Sequence, residues 1–265
     1  MTHSEQLHLY PMPHPDAVAF STTRHGGCGS GAYGTFNCTP YTGDEPAIVR
    51  THQDQLCHLI GISPERLIIP YQTHSCNILL IDETFNRLSS DARRALLQDK
   101  DALITPLKDT CLCVSTADCV PILLHDTIHG AVAAIHAGWR GTAGSIVART
   151  LKTMHEVYGT RGTDVHAIIG PCISLAAFEV GIEVFKTFEQ ADFPMQQIAQ
   201  WYPDKEKYHI DLPLANRLQL LTFGIPDTNI HDSRICTYTQ HTHYFSARRL
   251  GIKSGRILSG ILRTS

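Results

Sequence analysis

Residues 133–144 read Ala-Ala-Ile-His-Ala-Gly-Trp-Arg-Gly-Thr-Ala-Gly, and the rest of the chain is organised around this stretch. The apolar run of residues 130–135 predicts a buried strand, and residues 145–158 after the glycine-rich turn predict a helix. His136 therefore stands where a strand passes into a helix, a common place for chemistry in mixed folds. Arg140 and the free backbone N–H groups at the helix start could hold an anion there. Taken alone, a glycine-rich turn with a surface histidine explains this stretch equally well.

Two further segments place a metal-capable side chain directly after a strand-like run. Residues 71–75 contain His74, and residues 115–121 contain Cys119 between two apolar runs. Zinc fingers take their ligands in tight pairs, whereas His74, Cys119 and His136 lie far apart in the chain, so a site assembled from separate strand ends is predicted. Three nitrogen and sulfur ligands leave a tetrahedral Zn²⁺ one open position, which is the catalytic pattern. The competing interpretation is three unconnected core or surface residues.

Bulk composition restricts the class of protein. The chain has 265 residues and is 43% hydrophobic, which is enough to bury a sizeable core. Its net charge of −3 supplies no broad basic field for binding nucleic acid. No apolar run approaches the roughly 20 residues of a membrane helix. Because residues 1–15 lack the basic start and apolar stretch of a signal peptide, a cytoplasmic protein with free thiols is expected.

Apolar periodicity predicts the other strands and helices. Asp44 is predicted to cap a helix, and residues 88–98 are predicted to form another. Residues 191–207 are expected to be irregular, and residues 230–236 and 244–246 to form the last strands. Since the strands are irregularly spaced, the expected fold is one α+β domain with mixed β-sheets flanked by helices.

Several short motifs recur in the order of a known protein family. The two most specific are Ala117-Asp118-Cys119 and residues 136–141, His-Ala-Gly-Trp-Arg-Gly. The weaker motifs are residues 22–27, 36–37, 72–74, 101–105, 169–171, 236–237 and 246–249. By these motifs, the chain resembles the YfiH-like family, also called the polyphenol-oxidase or laccase-domain family. The resemblance implies a YfiH-like architecture and a single catalytic domain over residues 1–265.

The resemblance also implies a metal site. It assigns His74, Cys119 and His136 as catalytic residues that ligate one Zn²⁺, with copper as an adventitious substitute. Two departures from the family pattern stand near this site. Ser75 replaces the glycine that usually follows the first histidine, and residues 28–29, Cys-Gly, replace the usual Val-Ser of the glycine-rich loop.

Family members have been described as polyphenol oxidases, as purine nucleoside phosphorylases that also deaminate adenosine and cleave methylthioadenosine, and as peptidoglycan-editing hydrolases. A multicopper oxidase needs several His-x-His pairs, whereas residues 241–243 are the one such pair in this chain. Nucleoside chemistry fits the residues better. We expect zinc-dependent phosphorolysis of adenosine, inosine and methylthioadenosine to base plus ribose 1-phosphate, and deamination of adenosine by water attack at C6. The expected partners are a purine nucleoside and phosphate, and the expected state is a monomer or weak homodimer.

Phosphorolysis requires a phosphate held beside the ribose C1′, which suits the planar fork of arginine. The predicted substrate-binding residues are Arg24, Arg140 and Arg248, with Asn37 on a ribose hydroxyl or purine edge. Arg249, next to Arg248, is a further candidate. Each arginine taken alone is more often a surface charge.

Two other functions use the same residues. In a cysteine hydrolase acting on UDP-linked muropeptide precursors, Cys119 would be the nucleophile and His136 or His74 its base. In a scaffold protein, the same pocket would be vestigial. The sequence does not rank adenosine, inosine, methylthioadenosine and muropeptide precursors as the physiological substrate.

Overall fold

The computed structural model describes residues 5–264. The strands are β1 (Leu7–Leu9), β2 (Ala17–Thr22), β3 (Leu67–Ile68), β4 (Ile78–Leu80), β5 (Ala102–Thr105), β6 (Cys111–Thr116), β7 (Val120–Asp126), β8 (Val132–Ala137), β9 (Val165–Ile169), β10 (Glu179–Val180), β11 (Ala199–Tyr202), β12 (Lys207–Ile210), β13 (Ile230–Asp232) and β14 (Ile257–Arg263). The helices are α1 (Pro46–Ile60), α2 (Glu83–Arg87), α3 (Ser90–Leu96), α4 (Trp139–Ala143), α5 (Ile146–Tyr158), α6 (Ile182–Gln190), α7 (Met195–Ile198), α8 (Leu212–Thr222) and α9 (Ala247–Leu250). Among these residues, no helix is long and apolar enough to span a membrane.

Two large sheets form the frame of the molecule. One has five strands in the order β1-β2-β14-β6-β3, and the other has six in the order β13-β9-β7-β8-β5-β4. Both are mixed, because β3 runs parallel to β6, while β4 and β13 run parallel to β5 and β9. A third, small antiparallel sheet has three strands in the order β10-β12-β11. This is the mixed arrangement that the sequence predicted.

Side-chain alternation along the central strand β7 separates two hydrophobic cores. Leu123 packs with Leu112 of β6 in the core shared by the two large sheets. Its neighbours Ile122 and Leu124 face the opposite side and pack with Leu151 of α5. Full burial of each such side chain stabilises the fold by roughly 1.5–3 kcal/mol. The two cores therefore fix both faces of the strand that follows Cys119.

The N-terminal half differs from prediction at two helix boundaries. The N-cap of α1 is Glu45 and not Asp44, because the Asp44 carboxylate instead accepts a hydrogen bond from Asn37 Nδ2 at 2.9 Å. The helix predicted for residues 88–98 is present as α3, but it is shorter at both ends. The backbone is extended at Leu88, so α2 ends there and α3 begins after a new cap.

The C-terminal third differs most from prediction. Residues 191–207 are not irregular, since they contain α7 and β11, and Trp201 of β11 pairs with Tyr208 of β12. The strand predicted for residues 230–236 ends at Asp232, and residues 244–246 form no strand but lead into α9. The strand that does finish the chain, β14, was not predicted. It lies in the middle of the five-stranded sheet, between β2 and β6.

Candidate metal centre and substrate pocket

Three chain segments bring His74, Cys119 and His136 together. His74 lies between β3 and β4, and Cys119 directly precedes β7. His136 was predicted to follow a strand, but it lies within β8 and pairs with Pro121 of β7. The ligand atoms of the three residues all lie within 4.8 Å of one another, and Cys119 Sγ is 3.8 Å from His74 Nε2. The structure thus assembles the three side chains that the sequence placed at separate strand ends.

The backbone around the three residues is shaped to let them meet. His74 has a φ of 63° and Asp118 a φ of 93°, in the left-handed region that non-glycine residues rarely adopt. The glycine-rich stretch after His136 forms the short helix α4, and Gly138 stands at its start. A Cβ on Gly138 would lie 2.8 Å from His74 Cδ2 and 3.1 Å from Cys119 Sγ. Glycine is therefore needed here because the backbone passes so close to two of the side chains.

Asp101, which directly precedes β5, positions two of the three candidate ligands through hydrogen bonds. Its fully buried carboxylate accepts a 2.6 Å hydrogen bond from His136 Nδ1. It also accepts from the backbone N–H groups of Thr73, His74 and Ser75, at 3.2, 3.1 and 2.7 Å. This fixes the loop that carries His74 and leaves His136 Nε2 free to bind a metal. Sequence reasoning included Asp101 only as part of the motif of residues 101–105 and gave it no role in the site. The signal that could have identified it is a carboxylate directly before a buried strand.

The charges of the cluster depend on one another. Burial by itself would raise the pKa of Asp101, but the hydrogen bonds from His136 and Ser75 lower it to about 2. Burial would also raise the pKa of the Cys119 thiol, but His136 and His74 beside it lower that pKa to about 6. Burial lowers the pKa of His136, whereas the Cys119 thiolate and Asp101 raise it to about 9. The site therefore stabilises a thiolate, which is the form of cysteine that binds metals.

The spacing of Cys119 Sγ and His74 Nε2 is close to that expected for two ligands of a tetrahedral ion. Zinc bonds of ~2.3 Å to sulfur and ~2.0 Å to nitrogen, at a tetrahedral angle, place the two ligand atoms about 3.5 Å apart. The observed separation of Cys119 Sγ and His74 Nε2 is 3.8 Å. Within residues 5–264, this is the one group of three or more His, Cys, Asp or Glu side chains close enough to hold an ion. A multicopper oxidase would need a second, histidine-rich centre.

The three residues line a cavity of about 690 Å³, which is in the size range of small-molecule sites. Tyr41 and Tyr71 line it as an edge-to-face pair, with ring centroids 5.0 Å apart and each residue 42% exposed. Trp139 and Phe178 add two further aromatic side chains. This apolar wall suits a flat ring system.

Of the predicted substrate residues, Arg248 lines this cavity. Its guanidinium donates to the carbonyl of Glu179 at 3.1 Å and lies 5.6 Å from the centroid of the Phe178 ring. Its backbone N–H donates to Asp118 at 2.7 Å, and the other oxygen of that carboxylate accepts from Thr237 at 2.7 Å. Asp118 therefore ties the segment bearing Arg248 to the turn that carries Cys119.

Two other predicted arginines lie elsewhere. Arg24 donates to the carbonyls of Gly34 and His241 at 2.9 and 2.7 Å and lies over the Phe245 ring, so it fastens the glycine-rich loop to the C-terminal region. Arg140 is exposed and lies over the ring of its neighbour Trp139, 4.2 Å from the centroid. Neither is among the described residues that line the cavity.

Asn37 is fully buried behind the cavity wall, and its amide is already engaged. Its Nδ2 donates to Thr42 and Asp44, at 3.0 and 2.9 Å. Its Oδ1 accepts from the backbone N–H groups of Thr39 and Arg256, at 3.3 and 3.1 Å. Thr39, Thr42 and Arg256 themselves line the cavity. The structure therefore gives Asn37 an indirect role, and it adds Arg256, which sequence reasoning missed.

Comparison with known proteins identifies the family. The sequence model of the family described as multi-copper polyphenol oxidoreductase laccase matches residues 18–264. The chain belongs to this family. A purine nucleoside phosphorylase of Bacteroides thetaiotaomicron is 54% identical over 243 residues, which cover 92% of this chain and 90% of that protein. Adenosine deaminase RL5, from an unknown prokaryotic organism, is 43% identical over 245 residues, covering 92% and 93% of the two chains.

Solved structures of similar proteins share the fold. YlmD of Geobacillus stearothermophilus superposes with a TM-score of 0.87 at 30% identity, over 95% of this chain and 93% of that one. The hypothetical protein YfiH of Bacillus licheniformis does so with a TM-score of 0.92 at 25% identity, over 100% and 98%. The resemblance to the YfiH-like family, the α+β fold and the expectation of an enzyme are confirmed.

Proposed function

We propose that this protein is a zinc-dependent purine nucleoside enzyme. It cleaves adenosine, inosine and methylthioadenosine with phosphate, giving the base and ribose 1-phosphate, and it also deaminates adenosine. The observation that carries the proposal is the cluster of His74, Cys119 and His136 in a cavity that also presents aromatic rings and Arg248. The relatives named purine nucleoside phosphorylase and adenosine deaminase support this class of substrate.

Zinc is the metal that suits this donor set best. A thiolate and two imidazole nitrogens favour zinc over the hard cations, and copper is the substitute that such donors also accept. When bound by these residues, zinc would supply Lewis acidity at one open coordination position. Asp101 orients His136, and Asp118 holds the turn before Cys119.

Different residues of the cavity bind different parts of the substrates. Tyr41 and Tyr71 bind a face of the purine ring, because aromatic side chains stack on flat rings. Arg248 binds phosphate and aims it at the ribose C1′. Deamination requires C6 beside the three ligands, whereas phosphorolysis requires an anion beside C1′. The nucleoside would therefore bind in two orientations, or its ribose or the phosphate would lie beside the three ligands in one of the reactions.

A Cys119→Ser variant tests this proposal. The substitution removes the thiolate, so we expect loss of zinc and a fall of roughly 100-fold or more in both reactions. The fold should survive, since the two hydrophobic cores do not depend on the ion. The measurements are elemental analysis and a nucleoside panel with products identified by mass, with and without phosphate. Cys76→Ser, in the loop after His74, is the matched control, and full zinc or native cleavage in the Cys119 variant would contradict the assignment.

One observation favours a second candidate. Asp101, His136 and Cys119 are linked in the order carboxylate, imidazole, thiol, which is also the arrangement of a cysteine hydrolase. Such an enzyme would act on UDP-linked muropeptide precursors that carry serine. Hydrolysis of such a precursor by metal-free protein, blocked by alkylation of Cys119 and accompanied by no nucleoside turnover, would replace the nucleoside enzyme with this one.

A further inference from the structure

Two arginine side chains, Arg248 and Arg256, line the cavity beside the candidate metal centre. In the part of the chain that the structure describes, neither guanidinium forms an ion pair with a carboxylate. We propose that Arg248 and Arg256 form the two sides of one oxyanion site that takes inorganic phosphate. This assignment rests on the proposed phosphorolysis and gives its second substrate a binding site.

Arg256 is half-buried, and its charge is not neutralised by its protein contacts. The guanidinium donates to the carbonyls of Ser254, Gly255 and Ile252, at 2.7, 2.9 and 2.9 Å. Carbonyl oxygens fix the position of the group but carry no net charge. A guanidinium has five N–H donors, so these three contacts leave donors free for a ligand. A partly buried cation without a counter-ion is costly, and an anion in the cavity would offset that cost.

Arg248 approaches the cavity from α9 with most of its donors free. Its side chain makes the one hydrogen bond to the Glu179 carbonyl. Asp118 and Cys119 lie close enough to act on the charge of Arg256, but both already have other roles. The two oxygens of Asp118 accept from Thr237 and from the Arg248 backbone, and Cys119 belongs to the metal cluster. The positive charges of Arg248 and Arg256 are therefore available to a substrate.

Asn37 holds Arg256 in place from behind the wall. Its Oδ1 accepts the Arg256 backbone N–H at 3.1 Å, while its Nδ2 is fixed by Thr42 and Asp44. In the same way, Asp118 holds the backbone of Arg248. Both arginines are thus positioned by buried or half-buried polar side chains before a ligand arrives. Preorganised, paired guanidinium groups are the arrangement that binds phosphate tightly.

The chemistry of the cleavage is consistent with a phosphate bound here. A phosphate oxygen forms a bond to C1′, and the bond from C1′ to the purine nitrogen breaks with its electron pair on the base. The hydrogen of hydrogen phosphate passes to the base nitrogen, so the products are the free base and ribose 1-phosphate. Two cations on the phosphate hold it at C1′ and leave one oxygen free to attack.

The test is the dependence of inosine cleavage on inorganic phosphate in Arg256→Gln and Arg256→Lys. Loss of a charge-assisted contact should raise the KM for phosphate by roughly tenfold or more in Arg256→Gln, and by less in Arg256→Lys. Arg249→Gln is the matched control, because Arg249 contacts Tyr238 and does not line the cavity. A phosphate KM in Arg256→Gln equal to that of the native enzyme would overturn the assignment.

Binding of phosphate without nucleoside separates this inference from the proposed function. Phosphate should raise the Tm of the native protein, and Arg256→Gln should lose that increase. If this occurs but no nucleoside is cleaved, the oxyanion site stands and the phosphorylase proposal falls. If cleavage requires phosphate but Arg256→Gln keeps the native Tm increase and KM, the oxyanion site falls and the phosphorylase proposal stands. Should Arg256→Gln fail to fold, Arg256→Lys with native zinc content gives the same comparison.

Discussion

At the scale of single residues, Asp101 connects more of the site than any ligand candidate does. One buried carboxylate bonds the imidazole of His136 and the backbone of the loop that carries His74. A metal-binding histidine needs such a partner, because the partner fixes which ring nitrogen is free. Loss of Asp101 should therefore change the geometry of two ligands at once.

We predict that Asp101→Asn weakens zinc binding by about 10–100-fold, because the amide no longer stabilises the His136 ring or accepts as strongly from the loop. Competition with a chromophoric chelator measures the affinity. Asp126→Asn is the control, since Asp126 is equally buried but accepts from Thr160 and His129 at a distant turn. That variant should lose stability and keep its zinc affinity. Native zinc affinity in Asp101→Asn would show that the carboxylate does not support the ligands.

The sequence predicted some residues of the site better than others, for a physical reason. His74, Cys119 and His136 each follow or end an apolar run. The strands before His74 and Cys119, β3 and β6, are parallel neighbours in one sheet, so their ends bring those two residues together, and His136 meets them from β8 of the other sheet. No comparable rule gives the direction of a side chain in a loop. Arg24 and Asn37 stand in such loops, and their polar groups bond neighbouring backbone and side chains away from the cavity.

At the scale of elements, the junction between β8 and α4 sets how closely the ligands approach one another. Gly138 begins the turn, and the side chains of His74 and Cys119 lie against its Cα. Because β8 is buried along its length, the junction cannot shift outward to make room. The absence of a side chain at Gly138 is therefore part of the site.

We predict that Gly138→Ala lowers zinc content to less than half of the native value, because the new Cβ would lie 2.8 Å from His74 Cδ2 and 3.1 Å from Cys119 Sγ. Gly141→Ala, in the same helix, is the control, since its Cβ would meet Ile146 and Ser75 no closer than 3.4 Å. Elemental analysis and circular dichroism measure the two outcomes. Equal zinc content in both variants would show that metal binding does not require the absence of a side chain at Gly138.

Which elements the sequence predicted depends on how far each is determined by local pattern. The helix at α5 has strong apolar periodicity, and it was predicted for residues 145–158, close to its observed bounds. The strand β14 was missed because Ser259 and Gly260 interrupt its apolar run. Its position is set by tertiary packing, as a Cβ on Gly260 would lie 2.7 Å from both Phe20 and Cys113. Likewise, β11 forms because β12 offers it a partner.

At the scale of the whole molecule, the site depends on the stacking of the two large sheets. The chain leaves β6 of the five-stranded sheet, passes Cys119, and enters β7 of the six-stranded sheet. Loosening between the sheets would therefore disturb the turn that carries Cys119. Conditions that weaken the shared core should reduce activity before they unfold the chain.

One such condition is acid, because a histidine is buried at the far end of β7. His125 is 2% exposed, and its Nδ1 has no hydrogen-bond partner within residues 5–264. Burial lowers the pKa of His125 to about 4; the nearby Asp16 opposes this shift, whereas Arg263, His14 and His166 reinforce it. In the unfolded chain, the same side chain has its ordinary pKa near 6.5. Between these two values the unfolded chain binds more protons, so the free energy of unfolding falls as the pH drops through this range.

Between pH 7 and pH 5, protonation of His125 on unfolding should lower the free energy of unfolding of the native protein by about 2 kcal/mol, as a pKa shift of this size implies. We predict that the free energy of unfolding of His125→Gln falls by that much less over the same range. The glutamine stays neutral in both states, so its variant should show a shallower dependence of stability on pH even if it is less stable at pH 7. Urea unfolding at the two pH values, with metal content held constant, measures the difference. His58→Gln, an exposed position on α1, is the matched control and should keep the native dependence. A native pH dependence in His125→Gln would mean that the acid sensitivity of the fold arises elsewhere.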